Sequence, residues 1–234
     1  RGEGGLVTIP TWGKFWMAMM GLYKWEGLNP LLPELWALPS WHPVHPTRFY
    51  CHTRLIYAAM ASLYAQRPEA PDSPLVEELR QELYLEDYDK LPFARFAGRL
   101  RDAEVVAPPT PILKMAYQLC HLVERFHHSS LRETMLKKLL GEIRFDMETT
   151  GLRSISPVSG LLNMLSLHAN DPQDPLLDEA WEHFESWVWR DQAGVRVAGA
   201  KSDIWDTSFS VQALQQQPMR PDTEKAMEEA LTFL

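Results

Sequence analysis

Residues 12–64 read WGKFWMAMMGLYKWEGLNPLLPELWALPSWHPVHPTRFYCHTRLIYAAMASLY, and the order of residue types in this stretch decides the fold class. Trp12 to Trp25 is apolar at nearly every position, the pattern of a helix packed on several sides. Gly27 ends it. Pro30, Pro33, Pro39, Pro43 and Pro46 then exclude a long regular helix until about Arg48, because proline lacks the N–H and clashes with the preceding turn. A second helix is predicted from about Phe49 to Gln66, with Tyr50, Tyr57 and Tyr64 seven apart on one face.

The same punctuation continues outward. Ser73 before Pro74 is a cap with proline in the first turn, opening a helix through about Leu85. Residues 86–111 are acidic, then basic, and flanked by prolines, which predicts a surface connection with at most short helices. Ile112 to His128 is helical in spacing, and Ser129-Ser130-Leu131-Arg132-Glu133 offers a capping box for a helix through about Met147. Pro157 to His168, Pro175 to Arg190, Ile204 to Gln216 and Asp222 to Leu234 complete eight or nine helices. A short ribbon around Gly194 to Ala200 is the one place that reads as β. The class is all-α, with helices paired in a bundle, solenoid or α/α toroid.

Composition narrows the function. A net charge of −8 argues against nucleic acid, whose binding rests on Lys and Arg neutralising phosphates. Cys51 and Cys120 match no disulfide framework or zinc spacing and read as buried thiols in a reducing compartment. The start, RGEGGLVTIP, has no signal-peptide character, and the chain reads as a piece of something longer. No run reaches the roughly 18–20 apolar residues of a spanning helix, although an amphipathic helix can dock in a membrane interface without crossing it.

Few residue groupings suit chemistry. His42, His45 and His52, or His121, Glu124 and His128, match no zinc signature, and a solvated helix face explains them better, so no metal is expected. Cys51 beside His52, and Cys120 beside His121, point about 100° apart on a helix and do not form a nucleophile–base pair. No glycine-rich phosphate loop precedes a helix. What remains is aromatic: residues 12–64 hold five of the nine tryptophans. Aromatic faces attract cations by roughly 0.5–2 kcal/mol per ring. Trp12, Trp16, Trp25, Trp36, Trp41, Phe49, Tyr50, Tyr57 and Trp205 could line one pocket with His52, a wall suited to carbocations, although each ring singly is more often core.

WGKFW, YKWEGLNPLLPELW, HPTRFYCHTRLIY, SPLVEELRQELY, SISPVSGLLNML and IWDTSFSVQAL together resemble the squalene and oxidosqualene cyclases. The CHTR segment is closer to the oxidosqualene branch. The resemblance implies an (α/α) barrel, of which this chain would be an incomplete part, mostly from the second-barrel side, with residues 27–48 as a proline-rich cavity loop. It implies cationic cyclisation of 2,3-oxidosqualene to a sterol skeleton, lanosterol-type favoured, without cofactor. The same resemblance implies a monotopic membrane association on the cytoplasmic side.

Carried over by position, His52 stands beside the late cation and its deprotonation. Trp12, Tyr50 and Trp205 face the substrate, and Thr53 and Tyr57 form the channel constriction. Many relatives have Trp where Tyr50 stands. The family's proton-donor Asp, in an Asp-Cys-Thr-Ala-Glu segment, is expected beyond Leu234, so these residues alone are expected to be inactive without the remainder of the chain. Two alternatives stay open: a squalene-hopene type cyclase, and an all-α interaction module binding a peptide through an aromatic groove.

Overall fold

A computed structural model describes residues 5–199, 202–218 and 220–234. Among them lie α1 (Thr11–Met19), α2 (Cys51–Gln66), α3 (Pro74–Leu83), α4 (Pro111–Phe126), α5 (Ser129–Thr149), α6 (Pro157–Asn170), α7 (Leu176–Phe184), α8 (Asp203–Gln215) and α9 (Pro221–Phe233). A single hairpin pairs β1 (Val188–Asp191) with β2 (Gly194–Val197), in the register Val188 to Val197 and Asp191 to Gly194. The all-α expectation holds.

Side-chain caps explain four of the nine helix starts among the described residues. Ser73, Thr110 and Ser156 each precede a proline and accept a hydrogen bond from the backbone N–H three residues on. The proline supplies a preset φ where its missing N–H costs nothing. Ser202 caps α8 in the same way, accepting from the Trp205 N–H.

The hub is α2, which packs against α5 and α6. Small residues make this possible. Ala58, Ala59, Ala61 and Ser62 on α2 are buried, as are Ser159, Gly160 and Ser166 on α6, and the Ser166 hydroxyl donates to the Ala59 carbonyl at 3.2 Å. Short side chains let the two backbones approach until such a bond can form. Around this seam a core gathers Phe15, Tyr23, Trp25, Leu63, Tyr64, Ile143, Met147 and Leu162.

Several boundaries differ from the sequence reading. The first helix stops at Met19, and Trp25 instead lies in a 3-10 turn, Trp25–Gly27. There Gly27 is required by contact: a Cβ would lie 2.4 Å from the Tyr23 ring and 3.0 Å from the Phe93 carbonyl oxygen. Residues 27–48 form a proline-punctuated loop with 3-10 turns at Pro33–Ala37 and Pro46–Arg48. That loop is pinned, since the Trp36 indole donates to Glu142 and Lys138 donates to the Trp36 carbonyl.

Residues 86–111, expected as a surface connection, send Tyr88 and Phe93 into the core. They also receive the buried Lys14 ammonium, which donates to the Phe96 and Arg99 carbonyls at 2.7 and 2.8 Å. The capping box expected at Ser129 is absent. His128 precedes α5 without a side-chain cap, and the box occurs at Ser156 and Ser159 instead. The helix expected through Arg190 ends at Phe184 because Val188 to Asp191 pair as β1. Cys51 is exposed at the first turn of α2, and Cys120 is only partly buried, so neither is the fully buried thiol that its apolar neighbours suggested. Ala200, the expected end of the ribbon, lies outside the described residues.

Candidate active-site wall

The residues singled out on α2 fall along a gradient of burial. Tyr50, just before the helix, is 74% exposed; Thr53 is exposed, Tyr57 is partly buried, and Tyr64 is in the core. One face of α2 therefore leaves the protein interior at its N-terminal end, where His52 stands.

His52 Nε2 lies 3.2 Å from the hydroxyl of Ser156, the residue that caps α6. Ser156 follows a short turn in which Leu152 and Ser154 both adopt left-handed backbone (φ 60° and 56°). Such conformations cost of order 1 kcal/mol or more for residues with a Cβ, and persist where surroundings hold them. Here Leu152 packs into the core, and the Ser154 N–H donates to the Thr150 hydroxyl. Behind the turn, Asn163 donates to the buried Asp146 carboxylate at 2.9 Å and to the Ser154 hydroxyl at 3.2 Å. Burial holds the Asp146 pKa above the usual carboxylate range, with the Asn163 and Ser154 hydrogen bonds opposing.

The same turn receives α8. Arg153 pairs with Asp203 at 3.1 Å, one residue past the Ser202 cap, and the Arg153 carbonyl accepts from the Trp187 indole. Trp205 sits in this first turn of α8 and is 69% exposed. The 151–156 turn thus connects the helix start that carries His52 with the one that carries Trp205.

The nine rings do not share one pocket. Trp25 is core, edge-on to Phe15 and Tyr64. Trp36 is buried and stacks on Tyr57 at 5.7 Å, with Phe49 edge-on to Tyr57 at the same separation. Trp12 meets Trp16 edge-on at 5.6 Å and is 41% exposed, while Trp41 is 71% exposed. Buried aromatics here are packing, and Tyr50, Trp41, Trp205 and Trp12 are the faces left open.

Tyr57 is the hinge between the two sets. Burial raises its pKa well above the ordinary phenol range, and the Cys120 thiol of α4 raises it further. It is therefore a neutral phenol beside α4, fit to line an apolar passage.

The histidines considered as metal ligands have local duties. His45 Nδ1 accepts from the Thr47 N–H at 3.1 Å, and His128 Nδ1 lies 3.0 Å from the Ser130 hydroxyl. Among the described residues no cluster of three or more His, Cys, Asp or Glu could hold a metal ion.

Tyr50 and Trp205 are exposed aromatics at helix starts, and His52 is a half-buried imidazole between them in the order of contacts. Residues 1–193 match the squalene-hopene cyclase N-terminal domain. The chain belongs to this family. It is 39% identical to lanosterol synthase of Mus musculus and 37% identical to that of Homo sapiens, each over 99% of this chain and 32% of the relative. It is 30% identical to cycloartenol synthase of Dictyostelium discoideum over a similar span. The resemblance to the oxidosqualene branch is borne out, and the chain spans about a third of the length of these relatives.

Within this cyclase domain, Ser156 and Arg153 were missed by sequence reasoning. Part of the signal was present, since Ser156 before Pro157 is a hydroxyl cap ahead of a first-turn proline, but Ser159 stands where a capping box usually has Glu or Gln.

Proposed function

We propose that the protein containing this chain is a triterpene cyclase that converts 2,3-oxidosqualene to a sterol skeleton, lanosterol-type favoured. The observation that carries this reading is the 39% identity to a lanosterol synthase over 99% of the chain. The open rings of Tyr50 and Trp205, at helix starts joined through the 151–156 turn, support it. In this reading Trp12, Tyr50 and Trp205 offer π faces to successive cations, each by roughly 0.5–2 kcal/mol. Thr53 and Tyr57 line the constriction through which the substrate enters.

His52 acts at the end of the sequence. Loss of a proton from the carbon next to the final cation moves the C–H electron pair into the new alkene, and a neutral imidazole can accept that proton near physiological pH. The proton that opens the epoxide comes from an acid elsewhere in the protein, and this chain supplies only part of the cavity.

The route to the substrate is a membrane surface. No helix among the described residues is long and apolar enough to cross a membrane. Yet α4 exposes Ile112, Met115, Leu119, Leu122 and Phe126 and buries none of its residues. Such a face suits a helix lying in the lipid interface, and Cys120 on the same helix neighbours Tyr57 of the constriction. This exposed stripe supports reading the protein as a monotopic membrane enzyme.

The full-length protein incubated separately with oxidosqualene and squalene tests the reading. Cyclised sterol from oxidosqualene alone is expected, and its absence by mass spectrometry overturns the assignment. His52→Ala is expected to keep turnover but release products that stop at earlier or alternative proton losses.

A further inference from the structure

We infer that Ser156, backed by Ser159, is the positioning residue for His52, holding the imidazole so that its other nitrogen is the one left to take a proton. The inference rests on the cyclase reading above. Ser156 and Ser159 are both buried, and their four contacts form a closed box. The Ser159 N–H donates to Ser156 Oγ at 3.2 Å, and the Ser156 N–H donates to Ser159 Oγ at 3.1 Å. The two hydroxyl oxygens are 3.1 Å apart, and the Ser159 hydroxyl donates to the Ser156 carbonyl at 3.0 Å.

An assignment in which His52 Nε2 is the donor satisfies every group. With the Ser159 proton on the Ser156 carbonyl, Ser159 Oγ is free to accept the Ser156 hydroxyl proton. Ser156 Oγ then has a lone pair for His52 Nε2–H at 3.2 Å. The relay runs His52 to Ser156 to Ser159 to a backbone carbonyl, and every buried polar atom in it is matched. In this assignment the imidazole is protonated at Nε2, which leaves Nδ1 as the acceptor. The same arrangement holds once Nδ1 is protonated, because Nε2 never has to give up its donor role. An ordinary capping box needs only the two N–H bonds; the contact to an imidazole on another helix is additional.

Four variants of the full-length protein separate positioning from capping. Ser156→Gly removes the hydroxyl while glycine remains a tolerable cap. It is expected to shift the oxidosqualene product profile toward that of His52→Ala with little change in melting temperature. Ser156→Ala is expected to shift products in the same way and also lower the melting temperature. Ser156→Thr, which keeps both hydroxyl and cap, is expected to restore the wild-type profile. Ser159→Ala keeps its N–H and is expected to give a smaller shift than Ser156→Gly.

If Ser156→Gly leaves products unchanged while His52→Ala alters them, the positioning role is wrong and the cyclase reading stands. If Ser156→Thr behaves like Ser156→Gly, the serine is merely structural and the inference also falls. Wild-type protein that forms no cyclised product removes the cyclase reading itself.

Discussion

Helices α4 and α6 begin alike and end in opposite surroundings. Thr110-Pro111 and Ser156-Pro157 both place a hydroxyl cap before a first-turn proline, and both sequences continue with leucine-rich turns. Yet α6 buries Leu162, Met164 and Leu167 together with its serines and Asn163, whereas α4 buries nothing. The difference lies in the sizes of the other residues. Gly160, Ser159 and Ser166 let α6 close onto the alanines of α2, while α4 presents Leu, Met, Tyr and Phe with no matching row of small residues.

Charge holds α4 where packing does not. Glu124, near its C-terminal end, accepts two bonds from Arg132 on α5, at 3.1 and 2.6 Å, and one from Arg67 at 2.7 Å. Arg132 also donates to Glu34 at 2.7 Å. Burial by itself would lower the Arg132 pKa, but Glu124 and Glu34 outweigh it and hold the guanidinium charged. His121, one turn earlier, lies 3.4 Å from the Asn29 side chain. The helix is thus fixed by an ionic clamp near one end while its apolar stripe stays exposed among the described residues.

The comparison breaks most readily at the clamp. Arg132→Met is expected to destabilise the full-length protein by about 3–5 kcal/mol, because it strands the Glu34 carboxylate, largely removed from water, and leaves Glu124 with Arg67 alone. Denaturant unfolding measures this, and a loss under about 1 kcal/mol would show that α4 is held by other means.

A smaller effect, of opposite sign, is expected in the α5–α6 seam. The folded state raises the Asp146 pKa, so between the ordinary carboxylate value and that raised value the native protein binds the extra proton. Stability contributed by this group is therefore present at low pH and lost as pH rises. Asp146→Asn, whose amide oxygen can still accept from Asn163, is expected to be as stable as wild type or more so at pH 7. The difference should shrink toward pH 4 when melting temperatures are compared.

The smallest stability effect is expected on the open stripe. Leu119→Ser should change unfolding free energy by no more than about 0.5 kcal/mol, since the side chain is exposed. It should nevertheless weaken binding of the full-length protein to phospholipid vesicles in a flotation assay. Unchanged vesicle binding would separate α4 from the membrane.

Much of the fold was legible because its signals are local. Proline spacing in 27–48, the hydroxyl–proline caps and the helical spacing of apolar residues each act within a few residues of chain. The end of α7 was not, since Val188 to Asp191 are strand only because Gly194 to Val197 pair with them. The aromatic reading divided for a similar reason. An indole looks the same in sequence whether it packs, as Trp25 and Trp36 do, or stays open, as Trp205 does.

By itself the sequence determined the all-α class, most helix starts and the family, because caps, prolines and motif order are properties of neighbouring residues. Only the tertiary structure decided that His52 meets Ser156, 104 positions away, and that Arg132 gathers Glu34 and Glu124. Such meetings depend on how closely helices approach one another, and that distance is set by the side chains of both partners at once.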